Sequence, residues 1–122
     1  MTEAEAMSYI MERGQAYDLS FDDMMNMIPR VLHDDLTECA EFVEIRDISH
    51  ILPQSTHPEL TNDPSNMILE DPSVNRARGA DPMSELEEMT AMLDNEIIAA
   101  QIDLNDIHID IIPDYIPLVG VI

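Results

Sequence analysis

Lysine is absent from this chain of 122 residues, and the five basic residues Arg13, Arg30, Arg46, Arg76 and Arg78 face 26 Asp and Glu, for a formal net charge of −21. That balance repels phosphate backbones, so a protein that holds nucleic acid by neutralising phosphates along a broad basic surface is excluded. Three causes of the acidity remain: a solvated solubility coat, a basic partner, or a high-salt setting that screens the charge. Cysteine is reduced to Cys39, which has no partner for an internal disulfide and no CxxC neighbour for a zinc site; its thiol is expected to be buried and inert. Aromatics make up 4 % of the residues. The acid pairs Asp22-Asp23, Asp34-Asp35 and Glu87-Glu88 therefore lack the aromatic platforms of a carbohydrate site, and they read as solvated faces. No apolar run approaches the roughly 18 residues a membrane span needs, and "MTEAEAMSYIMERG" has neither the basic start nor the apolar stretch of a signal peptide. A cytoplasmic or virion-associated protein without a membrane segment is expected.

Apolar residues are 45 % of the chain, sufficient for one modest core. Glu3 to Arg13 reads as a helix capped by Thr2, with Met7, Ile10 and Met11 at helical spacing and Gly14 as a stop. Ser20 caps a second helix with Asp22 and Asp23 in its first turn; Met24, Met25, Ile28, Leu32 and Leu36 keep the period, and Pro29 breaks or kinks it. From Phe42 the period changes to two, which predicts a strand through Ser49. "LPQSTHPELTNDPSN" is a long loop, Met67–Asp71 a second strand, and "PSVNRARGA" a short helix ended by Gly79. Ser84 and Glu87 form a capping box that opens an amphipathic helix carrying Leu86, Met89, Leu93, Ile97 and Ala100. The ten Met are read as core gap-fillers, His33 and His108 as surface residues and His57 as a loop residue. The expected architecture is α+β. Residues 1–38 form an N-terminal helical segment, 39–101 a central ββα core with the following helix, and 102–122 an extended apolar tail in which Pro113 and Pro117 forbid a regular helix.

Strand, long loop, strand and short helix is also the order of a ββα metal nuclease. The run "DISHILPQS … NMIL … NRARG" resembles the HNH endonuclease signature, in which a strand ending in Asp-His-Ile-x-Pro-x-Ser is followed by Asn-x-x-x-Leu and then Asn-x-x-Lys-Gly. The resemblance covers about residues 46–79 and extends to the nuclease domain of RNA-guided DNA-cleaving effectors, which has the same His-Ile-x-Pro-Gln-Ser run.

The resemblance implies phosphodiester hydrolysis with His50 as general base and Asn66 as the residue that holds the loop so that His50 is aimed. It implies Asn75 as a ligand of Mg²⁺ or another divalent cation, and Arg76 and Arg78 beside a phosphate. Gly79 would allow a close approach or end the helix. Ser49 stands where the family usually has an acid or histidine ligand, so Asp47, two residues back on the same strand face, is the expected substitute, with Asp71 or His57 as further donors. The alternative is a catalytically silent HNH-fold protein acting in assembly, such as a phage structural subunit or an acidic DNA mimic. Nucleic acid is the expected partner in the first case. In the second, a protein partner or a second copy would meet the acidic surface and residues 111–122.

Overall fold

The computed structural model describes the backbone of residues 1–111 and the side chains of residues 1–105. Helix α1, Glu3–Gln15, begins where expected: the Thr2 side chain accepts from the Glu5 amide while Glu5 reaches back to the Thr2 amide. Gly14 does not stop it. The residue lies inside the helix and is buried, because a β-carbon there would come within 2.9 Å of Met24 Cγ and 3.1 Å of the Leu19 carbonyl oxygen. It is a close-packing glycine between α1 and the next helix.

Helix α2, Phe21–Met27, has the same kind of box between Ser20 and Asp23. The helical period beyond it is interrupted, as Pro29 requires: Arg30–Leu32 form one 3-10 turn, and helix α3, Leu36–Glu44, starts afresh with Asp35 accepting from the Thr37 and Glu38 amides. Here the expected strand from Phe42 is corrected. Cys39, Ala40, Phe42 and Val43 are all fully buried, at the i, i+1, i+3, i+4 spacing of a helix face, and the apparent alternation of Phe42 and Glu44 is that face read too briefly. The Cys39 Sγ donates to the Leu32 carbonyl at 3.0 Å, and burial together with the Asp35, Glu38 and Asp34 charges raises the thiol to about 11.

Strand β1, Asp47–His50, pairs antiparallel with β2, Met67–Glu70, in the register Asp47 to Glu70, Ile48 to Leu69, Ser49 to Ile68 and His50 to Met67. The second strand stops one residue short of the expected end, because Asp71 is the N-cap of helix α4, Pro72–Arg78, and accepts from the Ser73 and Val74 amides. Gly79 ends α4 at φ +59°, ψ −126°, a conformation open to glycine alone, and nothing lies within 4 Å of where a β-carbon would project. Its role is conformational, not one of close approach.

Helix α5, Glu85–Ile111, opens with the Ser84–Glu87 box. It continues through residues 102–111, where an extended tail was expected; the alternating text there holds apolar residues on the 3.6 period as well. Residues 112–122, the remainder of that expected tail, lie outside the described residues. The side that α5 turns inward is also reversed from the reading of its apolar residues. Ala91, Asn95 and Ala99 are buried against the core, while Leu86, Met89, Leu93 and Ile97 face solvent. Small side chains let the helix axis approach β2 closely, and Asn95 Nδ2 donates to the Leu69 carbonyl at 2.7 Å. One hydrophobic cluster joins Ala6 and Ile10 of α1, Met24 of α2, Phe42 and Val43 of α3, Leu69 of β2 and Ala99 of α5. The mixed α+β class is thus observed, with a two-stranded sheet. Among the described residues no helix is long and apolar enough to cross a membrane.

Candidate functional site

The loop that leaves β1 and returns at β2 is tied by one side chain. Asn66 is buried; its Oδ1 accepts from the Leu52 amide at 2.9 Å, its Nδ2 donates to the Leu52 carbonyl at 3.0 Å, and its own carbonyl accepts from the Ile51 amide at 2.8 Å. Both edges of the amide are thereby satisfied by the backbone that follows His50, which fixes where the strand ends and the loop begins.

His50 closes β1. Its Nε2 lies 2.8 Å from the Thr61 carbonyl oxygen, an acceptor only, so Nε2 carries a hydrogen and the lone pair of the neutral ring sits on Nδ1. The Tyr17 ring meets the imidazole edge-on, centroids 4.8 Å apart at 85°. His50 and Asn75 both line a cleft of about 290 Å³, together with Tyr17, Gln54, Ser55 and Arg78.

The neighbouring polar cluster holds the other expected site residues. Asp47 and Ser49 share one face of β1, and Glu70, opposite Asp47 in the register, shares it with them. Ser49 is buried, with its hydroxyl 2.9 Å from Glu70 Oε1 and 2.7 Å from Asn75 Oδ1. Asn75 Nδ2 donates to Asp47 Oδ2 at 3.1 Å, the orientation that a carboxylate, which only accepts, demands of the amide. Arg76 is exposed, its Nε 4.0 Å from Asp47. Arg78, expected beside a phosphate, is instead turned inward with its side chain 5 % exposed. It makes a two-pronged ion pair with Glu70 through Nη1, at 2.8 Å, and Nη2, while its Nε donates to Glu87 at 2.9 Å and Nη1 lies 3.4 Å from the Ser49 hydroxyl. Two carboxylates on α5 and β2 thus outweigh one arginine's exposure on α4. The hydrogen bonds to Glu70, ahead of those to Glu87, raise the guanidinium above its ordinary value, and the Arg78 hydrogen bond holds Glu87 down at about 2. Asp71, as the α4 cap, and His57, bonded to the Thr56 hydroxyl, are occupied elsewhere. Comparison with models of protein families, with curated proteins and with solved structures gives no match.

The donor set itself tests whether a divalent ion fits. Mg²⁺ asks for oxygens in near-octahedral array, usually with one or two carboxylates. Here Asn75 presents its NH₂ to Asp47, and its oxygen is engaged by Ser49. The Glu70 carboxylate is neutralised by Arg78, whose full charge lies beside the Ser49 hydroxyl, where the resemblance calls for a ligand. Among the described residues no three of His, Cys, Asp and Glu gather to hold a metal. As arranged, Asp47, Ser49 and Asn75 do not fit the ion.

Glu70, Tyr17 and Thr61 were not legible as site residues. Glu70 left one trace: an acid at a strand end, two residues along the same face from Ile68 and eight before Arg78. Tyr17 arrives from the turn after α1, and no local pattern marks it. Thr61 acts through its backbone, which leaves no mark in residue type.

Proposed function

We propose that the chain is an HNH-like ββα protein that acts by binding rather than by metal-dependent cleavage, the alternative role in assembly. The observation that carries this reading is the Arg78–Glu70 ion pair closed over Ser49. A guanidinium, held by a carboxylate that is 2 % exposed, lies next to the position at which the HNH resemblance calls for a cation ligand. A second positive charge there would be repelled by Arg78 and would find one carboxylate, Asp47, already hydrogen-bonded by Asn75 and 4.0 Å from Arg76, rather than a cage. Asn66, Asn75 and Arg78 each support the backbone or the hairpin face, so their presence needs no catalytic role.

A specific observation favours a second reading, the HNH-type nuclease. His50 has its Nδ1 lone pair available and lines a cleft, as a general base needs. One experiment separates the two. Purified protein is incubated with supercoiled plasmid in Mg²⁺ or Mn²⁺ at low salt, with His50→Ala alongside, and Mn²⁺ binding is followed by electron paramagnetic resonance. The binding reading expects no nicking and no bound Mn²⁺. Nicking by the wild type that His50→Ala abolishes would overturn it in favour of the nuclease.

A further inference from the structure

Among the described residues the outward side of α5 has no counterpart. Leu86, Met89, Leu93, Ile97, Ala100 and Leu104 recur at intervals of three and four, so they form one stripe on one side of the helix, about 27 Å long at 1.5 Å per residue. All six are exposed, Leu86 at 73 %, Met89 at 68 % and Leu93 at 63 %. A continuous apolar strip of this length on a helix surface marks an interaction site rather than ordinary scattered exposure.

The edges of the stripe say what fits it. On the 3.6-residue period Glu85, Glu96 and Asp103 flank one side; on the other, Glu87 and Asp94 are already paired with Arg78 and Arg46, and α5 contains no Lys or Arg. Beside the first turns of the stripe, Val74 of α4 and Thr90 and Ala91 of α5 line a groove of about 450 Å³ that also meets Asp71, Asp94 and the Arg78–Glu87 pair. A second copy of the chain would set acidic edges against acidic edges at close range, which is unfavourable even before the net charge of −21 on each copy is considered. The chain has no basic edge of its own to offer. It has no lysine; Arg13, Arg46 and Arg78 are engaged within the fold, Arg30 and Arg76 are exposed singly on different elements and form no row, and residues 112–122 contain Asp114 and no basic residue.

We infer that α5 is the docking surface for an amphipathic helix of a partner protein, with large apolar residues on one side and Lys or Arg along the edge that meets Glu85, Glu96 and Asp103. The partner's apolar side covers Leu86 to Leu104, one bulky side chain enters the groove beside Val74, and its cations pair with Glu85, Glu96 and Asp103. This deepens the binding reading above by naming the class of partner, and it stands or falls on a different measurement from metal-dependent nicking.

The test uses the full chain and a synthetic helix-forming peptide with leucine on one side and lysine on the other, titrated by calorimetry at low and high salt. Controls are a peptide of the same composition in scrambled order and one with glutamate in place of lysine. The expected result is binding of the patterned basic peptide that weakens with salt, little binding of either control, and a loss of about tenfold or more in Leu93→Asp, which is exposed enough to leave the melting temperature unchanged. Equal binding of the scrambled peptide, or undiminished binding by Leu93→Asp, would reduce the effect to general charge attraction and overturn the proposal. So would sedimentation showing that the chain alone is a dimer which Leu93→Asp dissociates, since the occupant would then be a second copy.

Discussion

Glu70→Gln is the substitution that most directly questions the polar cluster. It keeps the shape of the side chain and removes one charge from a pair in which Glu70 is 2 % and Arg78 5 % exposed. Deleting one member of a buried pair costs about 3–5 kcal/mol, because the surviving charge is left without its partner. Two features of this site reduce that figure. Glu87 remains 2.9 Å from Arg78 Nε at the solvent edge, and glutamine still offers one oxygen to Nη1. A loss of about 2–3 kcal/mol is therefore expected, roughly a quarter of the stability usual for a domain of this length. At this size about 3–5 °C of melting temperature accompanies each kcal/mol, so Glu70→Gln should melt about 6–15 °C below the wild type, with an unchanged denaturant slope. The paired replacement Glu70→Leu with Arg78→Met removes both charges and should recover most of the loss. Circular dichroism melts and urea titrations read all three proteins. A single variant within about 2 °C of the wild type, or a double variant less stable than Glu70→Gln, would refute the view that the ion pair is a buried, mutually dependent unit.

Two further expectations concern groups around it. Glu87 is held at about 2 from an ordinary 4.5 chiefly by its hydrogen bond from Arg78, so its stabilising contribution is complete above about pH 4.5 and is lost as the pH falls through about 2; carbon-13 titration of its carboxyl should show the low value, and Arg78→Ala should return it toward 4.5. An ordinary titration in the wild type would remove the contact from the solution structure. Asn66→Ala leaves the Leu52 amide and carbonyl without partners and should cost about 2 kcal/mol in urea unfolding while speeding hydrogen exchange at Leu52; unchanged exchange there would show that the loop is not held by this residue.

The caps were the most legible part of the fold. Thr2, Ser20 and Ser84 each begin a helix, because a cap is a short-range exchange of two hydrogen bonds that four consecutive residues fully specify. The Phe42 to Ser49 strand was misread for the converse reason. Over so few residues a half-buried helix and a strand place apolar side chains almost alike, and the decisive signal, Asp35 as a cap upstream, lay under the reading that carried the previous helix on to Leu36. The hairpin could be read because loop residues and strand pattern agree there, whereas the Asn66 clasp was suggested by the motif resemblance alone. The cluster around Ser49 could not, since Glu70 and Arg78 look like solvated charges until the register brings β2 across from β1 and α4 folds back over both. Which side of α5 faces inward was likewise invisible: hydropathy nominates Leu86 and Leu93, but Ala91, Asn95 and Ala99 allow the close approach that packing selects.

Arg13 has a consequence for what counts as a unit in this protein. From α1 its guanidinium donates to the Val43 carbonyl at 3.0 Å and the Arg46 carbonyl at 2.8 Å, the last turn of α3 and the residue before β1, while Tyr9 steadies it at 2.9 Å. A side chain from the first helix thus finishes the backbone of the corner from which the hairpin departs, some thirty residues later. The stretch that resembles a known motif is continuous in sequence, yet the start of its first strand is set by a residue outside it. Grafting residues 46–79 into another scaffold would carry across the letters of the motif without the fixture that sets its first strand, and a transplanted hairpin would need a substitute donor for those two carbonyls before it could hold its shape.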